Sequence, residues 1–179
     1  MSALHGFKMA SHGIITREYA GHTEVLLGKR INTSYGDGQY SFPAGHIELL
    51  EPPHIALKRE MKEELGVVPR FNSMAAQSPV LVLQHLKDYE KAVPEAQRFR
   101  HYTEYFFRVG AWDGEIHNAE PNKCADLRFF PLDDLPRNTL PLARHAMQHI
   151  RHGHGPFGEF GWQNPDFPAW QKKYGQGPA

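Results

Sequence analysis

The sequence predicts an α/β fold on three observations. Two stretches near the start, GIITREY and EVLLGKR, alternate apolar or β-branched residues with polar ones at the period of a strand. The segment that follows spaces Leu57, Met61 and Leu65 four apart, which is the apolar stripe of a helix. Beyond it, PVLVLQHL, HYTEYFFRV and DLRFFPL return to strand-like text before a second helical pattern.

Taken in order, Gly13 to Tyr19 and Glu24 to Arg30 read as a hairpin that turns at Gly21 and His22. NTSYGDGQ is polar and glycine-rich, hence a loop, and YSFPAG is a short extended piece ending at Gly45. The first helix takes Pro52 and Pro53 in its first turn, where a missing N–H costs little, with Glu51 near the positive end of its dipole. Gly66 stands where a left-handed cap ends such a helix, and Pro69 forbids continuation. Pro79 to Leu86 and His101 to Val109 are strands, and the polar residues 87–100 between them read as an inserted loop or short helix. Trp112, Asp113 and Gly114 mark the exit from the second of these strands. Asp126 to Leu132 is a further strand, DDLPRNTLP a turn, and Leu142 to His152 a helix with Leu142, Ala146 and Ile150 on one face. This organisation predicts a single domain over 1–152. Residues 153–179 are rich in Gly, Pro and aromatics without periodicity, so they read as an irregular tail, packed through Trp162 and frayed at its end.

At 179 residues the chain is long enough for one domain with a real core. Twenty basic side chains balance twenty acidic ones, so no net charge draws it to nucleic acid or anionic lipid, and neither is an expected partner. No apolar run reaches membrane-spanning length, and the N-terminus lacks the apolar core of a signal peptide. The lone Cys124 leaves no intramolecular disulfide. These features together predict a cytoplasmic protein.

The first helix also carries a concentration of charge. At about 100° per residue, Glu60, Glu63 and Glu64 crowd into one narrow arc beside the apolar stripe. Like charges three and four apart destabilise a bare helix by about 0.2–0.5 kcal/mol per pair. Two readings are open: a solvated acidic face, or carboxylates gathered for a divalent cation that bridges hard oxygen ligands to substrate phosphates.

The surrounding spacing decides for the second. Gly45, five residues, Glu51, seven residues, then Arg59-Glu60-Met61-Lys62-Glu63-Glu64-Leu65-Gly66-Val67 resembles the Nudix box at every defining position. The likeness to Nudix hydrolases extends over roughly Ser11 to His152. It implies an α/β/α sandwich with a mixed, partly antiparallel sheet. It assigns Glu60, Glu63 and Glu64 to metal binding with the Gly45 carbonyl as a further ligand, Mg²⁺ being the cofactor and Mn²⁺ a substitute. Glu51 and Gly66 become structural residues, and Arg59 orients the glutamates. The implied reaction is attack by water on a phosphorus of a nucleoside diphosphate linked to another group, with Glu60 or Glu64 taking the proton. Many relatives place a fourth carboxylate just ahead of a later strand. Here counting puts Cys124 nearer that slot, and Glu120 is the candidate. Since many relatives pair, a homodimer is among the expected assemblies.

Substrate class follows less directly. Marks that set apart ADP-ribose and dinucleoside polyphosphate relatives, a proline or a tyrosine at a fixed offset past the box, are missing, with Val82 and Leu83 near that place. Nucleoside triphosphates or oxidised nucleotides therefore lead, ahead of nucleotide sugars and ADP-ribose. A Nudix-fold sensor that binds a nucleotide without cleaving it is the rival class, and the retained glutamates speak against it. Phe42 and His46, close to Gly45 in sequence, are candidates for touching base and phosphate. Residues 87–100, with Lys87, Lys91, Arg98 and Arg100, form either a lid over the site or a solvated insertion. His145 and His149 lack a third ligand and read as packing residues, Cys124 as a buried thiol, and Phe99, Tyr102 and Trp112 as core.

Overall fold

The computed structural model describes residues 7–89 and 94–174. In chain order its elements are β1 (Lys8–Tyr19), β2 (His22–Arg30), β3 (Tyr40–Ser41), β4 (Ala44–His46), α1 (Pro53–Leu65), β5 (Val68–Pro69) and β6 (Leu81–Asp88). Then follow β7 (Phe99–Val109), β8 (Trp112–Asp113), β9 (Cys124–Pro131), α2 (Pro141–Arg151), β10 (Phe157–Phe160) and α3 (Phe167–Tyr174). Eight strands make one mixed sheet in which β10, β6, β7, β1, β2 and β3 lie side by side, with β4 added to β1 and β9 to β2. The β1–β7 and β10–β6 pairs are parallel and the other pairs antiparallel. β5 and β8 form a separate two-stranded ribbon.

Strand alternation builds the two cores that make this an α/β/α sandwich. Ile15, Leu26 and Phe107 point to one face and pack under Leu57, Met61 and Leu65 of α1. Their neighbours Ile14, Val25, Leu27 and Phe106 point to the other and meet Leu142, Ala143 and Ala146 of α2. The helix stripe read from the sequence is thus the buried face of α1, and all three of its residues are at most 2% exposed.

Three elements depart from the sequence reading. β1 begins five residues before Gly13, because Lys8 to Ile15 is held in parallel register against β7 by pairing that alternation alone does not reveal. Residues 87–100 are not an insertion throughout. Lys87 and Asp88 complete β6, Phe99 and Arg100 open β7, Lys87 pairs with Arg100, and one 3-10 turn lies at Glu95–Gln97. The Arg98 fork fastens this connection, its Nε and Nη2 each 2.8 Å from an oxygen of Asp88. Lys91 lies outside the described residues. The tail is also more ordered than its composition suggests: β10 pairs with β6, Trp162 Nε1 donates to the Gln84 carbonyl at 2.9 Å, and α3 stacks Phe167 and Trp170 edge-on against Phe99. Physically, the tail covers what would otherwise be the open edge of β6. A four-residue strand is too short to announce itself by period.

Candidate active site

The site forms where the β4 end of the sheet meets the second half of α1. Gly45 is the hinge of that contact. A Cβ built there would lie 1.8 Å from the Glu60 carboxyl carbon, so only glycine lets the Glu60 side chain lie against β4. The next helix turn is tied to the same strand, since the Ala44 N–H donates to Glu64 Oε2 at 2.9 Å. α1 ends on Gly66 at φ 74°, a left-handed cap whose N–H returns to the Lys62 carbonyl.

Arg59 organises the rest. Its Nε and Nη2 hold Glu51 at 3.1 and 3.0 Å, its Nη1 holds Glu60 at 2.7 Å, and its Nη2 also donates to the His46 carbonyl at 2.9 Å. One planar fork therefore fixes the loop entering α1, the strand β4 and a glutamate of the cluster together. Glu63, one turn on, is the loosest partner at 3.5 Å and is half-exposed. The Arg59 hydrogen bonds hold the Glu51 carboxyl below the ordinary carboxylate range.

Glu120 arrives by a route the sequence does not display. The Ala119 and His117 N–H groups donate to the Glu64 and Leu65 carbonyls, so the loop before β9 hangs from the C-terminal end of α1. That places Glu120 close enough to raise the proton affinity of both Glu60 and Glu64, while Lys123 Nζ holds one of its oxygens at 2.7 Å.

The electrostatics match a gathered set of carboxylates. Burial, with the charges of Glu60 and Glu120, pushes the Glu64 carboxyl up to about 8 against the pull of the Ala44 N–H. Burial raises Glu60 as well, opposed by Arg59 and reinforced by Glu63 and Glu120. Among the described residues no three such side chains close on one point as a complete ligand set. The donors are all hard oxygens and the crowding leaves excess proton affinity, so they fit a divalent ion shared with water and phosphate oxygens.

These groups line one part of a cavity of about 420 Å³, within the range of small-ligand sites. The rest of its wall includes Tyr35, His46, Lys87, Tyr102 and Glu104. Glu104 is 1% exposed and receives Nε2 of His12 at 2.8 Å and Nδ1 of His85 at 2.9 Å. Burial alone would raise its carboxyl, but these two hydrogen bonds and the nearby positive charges carry it well below the usual range. It is thus ionised, and both ring N–H groups donate to it. His46 bridges the two parts of the cavity: its carbonyl accepts from Arg59, and its ring nitrogen shares a 3.2 Å hydrogen bond with the Tyr102 hydroxyl.

The structure therefore brings Gly45, Glu51, Arg59, Glu60, Glu63, Glu64 and Glu120 together, with His46 adjoining. Phe42 borders the cavity but is 3% exposed and packs edge-on against Phe106, so most of its ring belongs to the core. Cys124 is half-buried rather than buried and lines the same wall, its Sγ on the Asp126 carbonyl. His145 and His149 pack on Phe160 and bond the Gly155 carbonyl respectively, as packing residues do. Tyr35, Glu104 and His12 escaped the sequence reading, whereas Tyr102, read as core, is 1% exposed and also borders the cavity. A buried acid paired with two histidines on neighbouring strands leaves no trace at any fixed spacing.

A helix with glutamates at its inner turn, clamped by one arginine against a mixed sheet at the mouth of a nucleotide-sized cavity, defines the class as a pyrophosphohydrolase. The NUDIX domain model matches residues 9–151, and the chain belongs to that family. It is 30% identical over 132 residues to an 8-oxo-dGTP diphosphatase of Escherichia coli, a match covering 73% of this chain and 88% of that one. It is 26% identical over 147 residues to an ADP-ribose pyrophosphatase of Methanocaldococcus jannaschii, covering 82% and 75% of the two chains. Among solved structures, a MutT NUDIX hydrolase from Burkholderia pseudomallei superposes with a TM-score of 0.64 at 26% identity, covering 80% of this chain and 97% of that one. No helix among the described residues is long and apolar enough to cross a membrane.

Proposed function

We propose that this Nudix hydrolase cleaves nucleoside triphosphates, oxidised ones included, to the monophosphate and pyrophosphate with Mg²⁺ as its cofactor and Mn²⁺ as a substitute. The observation that carries the reading is the shared cavity, which joins the glutamates of α1 to a second wall that holds Tyr35, Lys87 and Tyr102. The likeness to an 8-oxo-dGTP diphosphatase supports it.

Glu60, Glu63, Glu64 and Glu120 would hold the ion, with the Gly45 carbonyl beside them. When bound, the ion supplies charge neutralisation on the phosphate oxygens and acidifies a water. The protein's own residues do the rest. Arg59 fixes Glu60 and the β4 strand in one geometry. Glu64, whose burial makes it the more basic of the glutamates, accepts the water proton once it is ionised. The water oxygen then bonds to phosphorus as the bridging P–O bond breaks, and pyrophosphate departs with that electron pair.

A panel of nucleotides incubated with Mg²⁺ or Mn²⁺, with products resolved by chromatography, tests the reading. Expected products are a nucleoside monophosphate and pyrophosphate from a triphosphate. Turnover of ADP-ribose or a nucleotide sugar, with triphosphates untouched, would move the assignment to those substrates. Binding without any product would make the chain a sensor.

A further inference from the structure

The reaction outlined above uses the glutamate end of the cavity and leaves Lys87 without a task. Lys87 projects from β6 between two rings, its Nζ 4.2 Å from the Tyr35 centroid and 4.5 Å from that of Tyr102. Both rings and the lysine line the cavity. Among the described residues no oxygen accepts a hydrogen bond from that ammonium group. Glu104 is the nearby acid; its two oxygens accept from His12 and His85, and no hydrogen bond joins it to Lys87.

Glu104 is the largest charge acting on the ammonium, with Arg30 and Arg100 opposing it, and what the seat lacks is a hydrogen-bond acceptor. Cation–π contact attracts the charge as a whole but offers no lone pair to an N–H. Donors withdrawn from water without acceptors are unfavourable, and a ligand that brings an acceptor relieves this. A second full anion would meet the field of the ionised Glu104, the largest charge acting on the lysine, whereas a neutral carbonyl oxygen meets only the donors. Tyr35, partly exposed, adds an aromatic surface to the seat, while Tyr102, 1% exposed, backs it from the core. His46, bonded to the Tyr102 hydroxyl, connects this seat to Gly45 and the glutamates, so a base here and phosphates there can belong to one nucleotide.

We propose that Lys87 is a specificity-determining residue which makes the cavity prefer bases presenting a ring carbonyl, such as 6-oxopurines, over those presenting an amino group there, such as adenine. This rests on the nucleotide reading above and sharpens it. An amino group would set donors against donors, while a 6-oxo group accepts a charge-assisted hydrogen bond. Hypoxanthine and adenine nucleotides differ only at the 6-substituent and at N1, a donor in hypoxanthine and an acceptor in adenine, so it is the loss of selectivity in Lys87 variants that assigns the effect to the lysine.

The test is calorimetric titration of IMP and AMP into the wild-type chain, Lys87→Met and Lys87→Gln. Monophosphates are chosen so that the readout needs neither turnover nor metal. The wild type should bind IMP about tenfold or more tighter than AMP, the selectivity of one charge-assisted hydrogen bond. Both variants should bring the ratio to within about twofold, since methionine removes the donor and glutamine can face either base. Thermal melts establish that each variant is folded, and Lys87→Gln decides if Lys87→Met is not. Equal wild-type affinities, no binding of either nucleotide, or a preference that survives in both variants overturns the proposal. The nucleotide panel fails independently: absence of all hydrolysis removes the enzymatic reading, while the IMP to AMP ratio still decides the role of Lys87.

Discussion

The two ends of the cavity are incomplete in opposite senses. At the glutamate end, Glu60, Glu63, Glu64 and Glu120 are gathered with Arg59 and Lys123 as cations, and burial, reinforced by the neighbouring carboxylates, raises the proton affinity of Glu60 and Glu64. At the aromatic end, Glu104 is the largest charge acting on Lys87, with Arg30 and Arg100 opposing it, and among the described residues the ammonium has no hydrogen-bond acceptor. The first end waits for charge and the second for a lone pair. A triphosphate carrying a divalent ion and an oxo-base supplies both from one molecule. The difference teaches that the chemistry and the choice of substrate are separately built, and each can be disturbed alone.

The largest expected disturbance is Glu64→Gln. The amide is isosteric and can still accept from the Ala44 N–H, so the fold should persist with its thermal midpoint held or raised, since a carboxyl lifted to about 8 gains little from being buried. Turnover should fall about a hundredfold or more, the scale of a lost general base. Glu63→Gln, made separately, removes a proposed ion ligand from the exposed side and should also abolish turnover supported by Mg²⁺. Steady-state rates at saturating nucleotide check this, and full activity in both variants would break the distinction between the two ends.

Next in size is Gly45→Ala. The backbone there has no positive φ, so the consequence is steric alone: the new Cβ occupies the place of the Glu60 carboxyl, which must leave, pulling on Arg59 Nη1. Displacement of a catalytic carboxylate by about 1 Å costs on the order of a hundredfold in rate. The IMP to AMP affinity ratio should stay as in the wild type, because Lys87 and its rings are untouched. A variant that loses base selectivity together with rate would show that His46 couples the ends mechanically rather than merely joining them.

The two ends also differ in how far the sequence displays them. Every glutamate of α1, with Gly45, Glu51 and Arg59, lies within one short segment, where the spacing of the family's box and the helix period agree. Such a site is legible because local geometry and chemistry are written in the same residues. Glu120 was only a candidate, since its approach depends on the His117 and Ala119 N–H groups bonding the end of α1. At the aromatic end Lys87, Tyr102 and Glu104 are placed by the antiparallel register of β6 and β7, which sets His85 opposite Tyr102 and Lys87 opposite Arg100, and Tyr35 joins them from the loop after β2. Register is a tertiary outcome, so Lys87 reads from sequence as a loop cation, and Tyr102, read as core and buried as such, gives no sign that it also borders the cavity. The same holds for the tail, whose β10 exists because β6 offers it an edge.

The smallest expected effect tests the aromatic end by stability. Burial lowers the Lys87 ammonium from 10.5 to about 8, against the opposing pull of Glu104, with Arg30 and Arg100 adding to the decrease. The groups facing it are Glu104 and Arg100 of β7, Arg30 of β2, and the hydroxyls of Tyr35, Tyr89 and Tyr102. Burial and Glu104 push Tyr35 up to about 12, and burial raises Tyr102 as well. Between about 8 and 10.5 the folded chain therefore binds fewer protons at Lys87 than the unfolded chain does, and stability rises with pH through that window. Below it the charged lysine carries its full desolvation penalty. Lys87→Met removes both the penalty and its relief, while every other facing group is common to the two proteins. Chemical denaturation should thus find the variant's advantage over the wild type greatest near neutral pH and shrinking steadily toward pH 10.5. A difference that stays constant across the range would mean that the ammonium is effectively solvated, and the case for an acceptor-seeking lysine in the base seat would go with it.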